Sequence, residues 1–524
     1  MSRRFITISN FRNLGIGKPT TLLLNDTYEK GKSGDLIILI GQNNAGKSNV
    51  LSALEIIKSR QFTSSDVPIM NLGNDELPEI DYVIQADNNN AYCQKLKYSS
   101  MYSARIIEDF VDTLNDEDIA NLDDLESSVF NYENKNIVTS DFNTTPEYLN
   151  NNKFICSVLN AIDINPDTVK DTYDQYRKTP NIFFLQVLQN KINQRLKKLT
   201  DIFNNLYKST ADPYNFMIVL FNSQISFGLG RGNENSLTPL VLEQQSTGFR
   251  WFFNFFFTLF NRGSSKSIHP GDIVIMDEPA TNLHPQGQKE LRDFIKAFAV
   301  ANDITFVIAT HSPFLVNSDE LNELRVVRMK DNKAEIINLF SAVDVDDPDS
   351  LLPIKDALTI KQNILYDYDT RVVWVEGITD YNYLTLFKKL LGYQNISFLP
   401  FKGVGKEDMQ DVIIQKLASI KFPNVEILVD ADKAGLAFKQ KCQNTKFKDR
   451  VISIDQVSSN AKYKEIENLF SVTDRQKYKA LNENDPDGFK KASTTSAMKK
   501  FCKLEDFSKE TIDNFKALFE LLIN

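Results

Sequence analysis

The chain has 524 residues, of which 42% are hydrophobic and 25% charged, with a net charge of −9 and four cysteines. That length calls for two or three globular domains, and the acidic balance disfavours a nucleic-acid coat protein while leaving room for a local basic groove. No apolar run reaches the ~18 residues of a membrane span, and Met-Ser-Arg-Arg-Phe-Ile-Thr-Ile lacks the apolar core of a signal peptide.

Phe5-Ile6-Thr7-Ile8 alternates as a strand does and leads into the turn Asn10-Phe11-Arg12-Asn13. Residues 36–40 are a continuous apolar run, the pattern of a buried parallel strand, and helical spacing follows over 49–58. From about residue 100 to 210 the chain is rich in Asn, Asp and Lys, and Phe184, Leu188, Ile192, Leu199, Phe203 and Leu206 share one helical face. A helical insertion over 96–212 is expected, either an arm for dimerisation or a flank packed on its own domain. Strand-like runs at 216–221, 273–276 and 304–308 return the chain to the first domain, which then comprises 1–95 and 213–340. The apolar residues 251–260 are too short to cross a bilayer and read as a buried helix. An acidic stretch, Val343-Asp344-Val345-Asp346-Asp347-Pro348-Asp349, suits a linker over 341–368. A second α/β unit fills 369–524, with strands expected at 372–375, 396–399, 425–429 and 451–454.

Gly41-Gln42-Asn43-Asn44-Ala45-Gly46-Lys47-Ser48 matches the phosphate-binding pattern G-x-x-x-x-G-K-[ST] between a strand and a helix. Backbone N–H groups of such a loop face phosphates, Lys47 reaches the outer phosphates, and Ser48 is placed to ligate Mg²⁺. Ile273-Val274-Ile275-Met276-Asp277-Glu278 aims two carboxylates at a strand end; Asp277 is expected on Mg²⁺ through water and Glu278 on the attacking water. His311, after a further strand, is expected near the γ-phosphate. ATP is the implied cofactor. Gln85 is the one weak glutamine-loop candidate.

The second unit carries Glu376 in a strand-to-glycine turn, Asp380 four residues on, Asp430-Ala431-Asp432 after another strand, and Glu465-Ile466-Glu467 in a later turn. Phe401-Lys402-Gly403-Val404-Gly405-Lys406 follows a strand between them. Clustered carboxylates, in a chain whose three histidines (His269, His284, His311) lie far away in sequence and whose cysteines form no CxxC pair, favour Mg²⁺ or Mn²⁺ and a reduced, cytoplasmic protein. Lys433, Lys439, Lys441, Lys446, Lys448 and Arg450 against the single Asp449 form either a phosphate-contacting rim or a solvated helical face.

The loop, the Asp277-Glu278 strand and His311 together resemble the ABC-type ATPase heads of the SMC, RecF and OLD (overcoming lysogenization defect) families. That resemblance implies a signature segment at Gln245-Ser246-Thr247-Gly248-Phe249-Arg250, in which Ser246 and Gly248 cap ATP held by a second head. This segment departs from the common Ser-Gly-Gly-Gln form. Glu376, Asp430 and Asp432 stand where the TOPRIM domain carries its acidic residues, over roughly 371–470. In OLD-type nucleases further carboxylates complete a second metal position, matched here by Asp380 and Glu467, and a late lysine steadies the transition state, with Lys490 and Lys491 as candidates.

The implied fold is α/β: an ABC-type P-loop head with a helical insertion, then a parallel-sheet TOPRIM domain. The order resembles the OLD-family endonucleases, a group that includes the Gabija A protein and the nuclease effectors of some retrons. It implies an ATP-binding, Mg²⁺-dependent endonuclease acting on DNA as a homodimer or homotetramer in antiphage defence. An accessory subunit, helicase-like or a retron reverse transcriptase with its nucleic acid, is the implied partner, and no membrane is. A RecF- or SMC-like repair ATPase that binds DNA without cutting it is the alternative. A topoisomerase would need a tyrosine nucleophile in a DNA-gate domain, and a primase would need no ABC head.

Overall fold

The computed structural model describes residues 2–28, 34–68, 76–86, 91–98, 105–108, 129–132, 137–207, 212–232, 236–259, 269–279, 281, 283–338, 370–401, 410–411, 413–415, 425–458, 463–479 and 492–523. Two compact units are present, one made of Met1–Glu126 with Val307–Asn524 and the other of Ser127–Phe306.

The first unit opens on an antiparallel sheet ordered Thr20–Tyr28, Ser2–Ser9, Glu79–Ala86, Ala91–Lys97, Arg105–Glu108. Period-two alternation sets its inner face: Ile6, Ile8, Ile80 and Leu96 are fully buried while their neighbours are not. Gln85 sits in this ladder opposite Arg3. The strand Asp35–Ile40, buried on both faces, pairs in parallel with Leu324–Lys330, registering Leu324 with Ile38 and Val326 with Ile40. Lys333–Ile337 closes that edge as a hairpin through Asp331 and Asn332, both at positive φ.

The same unit holds a four-stranded parallel sheet ordered Ile396–Pro400, Arg371–Val375, Val425–Val429, Val451–Ser453. Each strand lies within one residue of its expected position. Helices Ile378–Leu391 and Lys433–Cys442 leave the strand ends, and the helix Lys509–Ile523 covers the unit with aromatic side chains. Phe515 stacks on Phe387 at 3.7 Å between ring centres, and Phe519 on Tyr393 at 4.5 Å.

In the second unit the helix Phe183–Leu206 buries Leu188, Ile192, Leu196, Leu199 and Phe203, while Phe184 remains 39% exposed. Its polar residues cover the strand Tyr214–Leu220. Asn193 exchanges two hydrogen bonds with the Ile218 backbone, Asn204 does the same at Tyr214, and Gln189 accepts from Leu220 N. Side-chain amides thus satisfy backbone groups that a neighbouring strand would otherwise take. The helix Thr247–Leu259 presents Phe249, Phe252, Phe253, Phe256 and Phe257 to a core shared with Phe154, Phe203, Phe216 and Phe227.

Part of the stretch read as helical is strand. Residues 91–97 and 105–108 pair antiparallel, with Lys95 opposite Ile107, and Val129–Asn131 runs parallel to Ile273–Asp277; among the described residues of this stretch the α-helices are Lys153–Ala161, Pro166–Lys178 and Phe183–Leu206. Short apolar segments such as Arg105-Ile106-Ile107-Glu108 carry too little periodicity to separate the two states, and pairing decides. The linker 341–368 lies outside the described residues. Among the described residues no helix is long and apolar enough to cross a membrane.

Candidate nucleotide and metal sites

The phosphate-binding loop joins Asp35–Ile40 to the helix Lys47–Ser59. Gly46 stands before the helix at φ 107, and Asn44 also lies in the left-handed region at φ 62. A Cβ at Gly41 would fall 2.4 Å from Val327 O, so the loop packs too closely on the neighbouring strand for any side chain there. The Asn10–Asn13 turn braces the helix. Asn13 Oδ1 accepts from Asn49 Nδ2 at 2.8 Å, while Arg12 reaches Asn49, Ser52 and the buried Asp66.

Lys47 is buried, and its Nζ donates to Gly41 O at 3.0 Å and Gln42 O at 3.3 Å. The same Nζ lies 2.7 Å from His311 Nε2. An ammonium can only donate, so Nε2 accepts and the ring proton belongs on Nδ1. His311 follows the strand Thr305–Thr310, and Ser48 is exposed on the first helical turn. The loop, Lys47 and His311 therefore meet at one place, with the Lys47 ammonium between the loop carbonyls and the imidazole.

The second unit carries the other nucleotide candidates. Asp277 is exposed at the end of the strand Ile273–Asp277, and Glu278 follows at φ 45, a conformation that costs a non-glycine residue about 1–3 kcal/mol. His284 caps the helix Pro285–Asn302 by accepting from Gly287 N, which gives it a structural role. Ser246 is exposed and its Oγ accepts from Phe249 N at 3.2 Å, capping the helix Thr247–Leu259; Gly248 packs beside Leu283.

In the parallel sheet of the first unit, the carboxylates gather at the C-terminal ends of adjacent strands, where α/β sheets bind ligands. Glu376 Oε1 accepts from Asp430 N at 2.9 Å, joining two strand ends. Asp380 caps the helix Ile378–Leu391 through Gly377 N at 3.1 Å. Ala431 N donates to Lys464 O at 2.7 Å, which draws the turn bearing Glu465 and the buried Glu467 to the same place. Asp432 is exposed and caps the helix Lys433–Cys442.

Electrostatics reports the crowding. Burial, then the charges of Glu376, Glu467, Glu465 and Asp432, push the Asp430 carboxyl up to about 8. Burial, then Asp430, Glu467 and Glu376, raise Asp380 well above the usual carboxylate range. Yet among the described residues no three such side chains close into an ion cage. The two observations are compatible with Mg²⁺, which is commonly held by one or two carboxylates with water and substrate phosphate completing the octahedron. The all-oxygen donor set fits Mg²⁺ or Mn²⁺.

The basic rim is only partly available to phosphates. Lys439 donates to Ser453 and Gln456, Lys441 lies 3.5 Å from Asp411, and Lys446 sits over Phe447. Residues 402–406, Lys490 and Lys491 lie outside the described residues.

Sequence reading passed over Gly435. A Cβ there would lie 2.1 Å from Asp430 O and 3.2 Å from Glu376 Oε1, so only glycine lets the helix start beside both carboxylates. The signal present in the sequence was a glycine three residues after Asp432, at the first helical turn.

A G-x-x-x-x-G-K-[ST] loop between a buried parallel strand and a helix is the mark of a P-loop ATPase of α/β fold. The chain belongs to the family described as "AAA domain, putative AbiEii toxin, Type IV TA system", whose profile matches residues 36–317. Solved structures with similar folds include the SMC head domain from Thermotoga maritima, at 11% identity and TM-score 0.36, covering 66% of this chain and 100% of that one. The Smc head domain from Pyrococcus furiosus bound to the C-terminal domain of ScpA follows at 12% and 0.35, covering 64% and 96%. A recombination mediator protein RecF structure in the RecFOR pathway stands at 11% and 0.32, covering 64% and 98%. No curated protein matches the chain.

Proposed function

We propose that this P-loop ATPase is an ATP-regulated, Mg²⁺- or Mn²⁺-dependent DNA endonuclease whose C-terminal parallel sheet is of TOPRIM type. The observation that carries the reading is the shared site of Glu376, Asp380, Asp430 and Glu467, where burial and then the charges of neighbouring carboxylates push Asp430 up to about 8. Repulsion of that kind costs stability unless a cation offsets it, which is typical of functional sites rather than of structural turns.

In this reading Glu376, Asp430 and Asp432 are the candidates for one metal position, one or two of them ligating the ion while water completes its shell, and Asp380 and Glu467 are the candidates for a second. The bound ions supply charge stabilisation for attack on a phosphodiester. Gly435 keeps the Asp430 turn against Glu376. At the nucleotide site Lys47 binds the outer phosphates, Ser48 and Asp277 hold Mg²⁺, Glu278 orients water, and Ser246 and Gly248 contact ATP across a pair of heads. A toxin-like or antiphage role follows from the family description and the OLD-type resemblance. Assembly as a homodimer or homotetramer belongs to the same reading.

A second reading, a RecF- or SMC-like ATPase whose C-terminal sheet binds DNA without cutting, is favoured by one observation. The family match ends at residue 317, before that sheet begins. Purified protein incubated with supercoiled plasmid and Mg²⁺, with and without ATP, separates the two. Cleavage abolished by Asp430→Ala with ATP hydrolysis retained supports the nuclease; DNA binding without cleavage of supercoiled, linear or single-stranded DNA supports the second.

A further inference from the structure

Within the first unit, the chain that leaves the nucleotide cradle runs directly into the base of the carboxylate site. From His311 it passes through the turns Pro313–Leu315 and Ser318–Glu323, with Leu315 and Leu321 buried. Each turn is capped by its own side chain: Ser312 Oγ accepts from Phe314 N, and Asn317 Oδ1 accepts from Asp319 N. The second turn is kinked at Glu320, with φ −129 and ψ 44, and Leu315 and Leu321 anchor the two turns in the core.

Three contacts then join Ser318–Glu323 to the C-terminal sheet's helices. Tyr381, fully buried and adjacent to Asp380, donates its hydroxyl to Ser318 O at 2.9 Å and accepts from Leu321 N at 3.1 Å. Lys388, two turns along the same helix, meets Asp319 at 2.5 Å. Lys499, from the helix Ala492–Phe501, meets Glu320 at 3.3 Å and Asn322 Oδ1 at 3.2 Å, with its ammonium 4.8 Å from the centre of the Tyr381 ring. The adjacent Lys500 pairs at 3.0 Å with Asp35, the first residue of the strand that ends at the phosphate-binding loop.

We propose that Ser318–Glu323 is a rigid joint through which nucleotide at Lys47 and His311 repositions Asp380, with Tyr381 as the positioning residue. Lys47 cannot hold both His311 and an outer phosphate with the same geometry, so nucleotide changes the constraint on His311. Lys499 is buried and its ammonium is met by the half-buried Glu320, so pulling them apart would leave a buried charge without its partner, and the joint moves as a block instead of absorbing the shift. Displacement of Ser318 and Leu321 is then delivered to the Tyr381 hydroxyl and to the first turn of the helix that Asp380 caps. By linkage, whatever binds the carboxylate site feeds back on nucleotide affinity by the same factor. The consequence for cleavage rests on the nuclease reading; the movement itself does not.

Hydrogen exchange of the full chain, with Mg²⁺ and a slowly hydrolysed ATP analogue, tests the joint without DNA. In the wild type the analogue should change exchange by about twofold or more both in the helix Lys47–Ser59 and over residues 376–386. Tyr381→Phe keeps the ring under Lys499 and removes the hydroxyl, with its bonds to Ser318 and Leu321 and its 3.5 Å contact with Lys499; it should retain the first response and lose the second. Lys388→Met is the companion variant should Tyr381→Phe fail to fold, with the same expected loss. Wild-type exchange over 376–386 that ignores the analogue while Lys47–Ser59 responds overturns the proposal, as does a wild-type response in either variant. Silence at both segments overturns nucleotide binding itself. Absence of DNA cleavage with an intact exchange response refutes the nuclease reading alone.

Discussion

Glu376 and Asp430, 54 positions apart, are joined by one hydrogen bond from the Asp430 backbone N–H to Glu376 Oε1 at 2.9 Å. The acceptor is a carboxylate, so the bond fixes a negative charge beside the Asp430 side chain, whose carboxyl burial and then its acidic neighbours push up to about 8. The pair makes sense if a cation belongs between them, and the first expectation tests that.

Asp430→Ala should lower Mg²⁺-dependent DNA cleavage by about 10²-fold or more, because metal-held charge stabilisation amounts to several kcal/mol. Above about pH 8, where the Asp430 carboxyl is ionised, Asp430→Asn in metal-free protein should raise Tm by roughly 2–4 °C by removing a buried charge and its repulsion from neighbouring carboxylates, and the gain should shrink as pH falls below that value. Mg²⁺ should raise the wild-type Tm more than that of the Asn variant. Equal Mg²⁺ shifts in both would remove Asp430 from the metal site.

Lys47→Ala should weaken ATP binding by roughly 10- to 100-fold, the cost of one lost charged hydrogen-bonding partner. Glu278→Gln should preserve binding and slow hydrolysis by about 10²-fold or more. Titration with a fluorescent ATP analogue and a phosphate-release assay separate the two effects. Wild-type hydrolysis in both variants would place the ATPase site elsewhere.

Gly435→Ala brings a Cβ to 2.1 Å from Asp430 O, and backbone must move to admit it. A cost of about 1–3 kcal/mol is expected, concentrated at the Asp430 turn. ATP affinity should be unchanged while the Mg²⁺-induced rise in Tm disappears. Retention of the full Mg²⁺ response would show that the turn tolerates the shift.

Asp474 anchors the C-terminal helix: it accepts from Ser508 N at 2.9 Å, Ser508 Oγ at 2.7 Å and Thr511 Oγ1 at 2.5 Å. Burial opposes its charge, but these hydrogen bonds prevail and hold the carboxyl below its ordinary range. A depressed folded pKa means stability fully present above about pH 4 and lost as pH falls through the folded value. Asp474→Ala should accelerate amide exchange in Lys509–Ile523 by about 30-fold at neutral pH, equivalent to ~2 kcal/mol. The difference from wild type should narrow in acid; a difference that persists unchanged in acid would assign the effect to packing.

Local pattern was enough for much of this protein. The loop Gly41–Ser48, the strands that precede Glu376 and Asp430, and a buried helix over 251–260, observed as Thr247–Leu259, were legible because glycine-rich loops and buried apolar segments write themselves in consecutive residues. The strands at 91–108 were not, since short apolar segments acquire their state from a partner strand. Tertiary structure alone decided that Gly435 lies against Asp430, that Asn193 and Asn204 cover a strand edge, and that Tyr381 grips Ser318 and Leu321 from 60 residues away. The physical reason is the range of the interaction: backbone propensity acts along the chain, whereas close packing, charge crowding and hydrogen-bond satisfaction act through space.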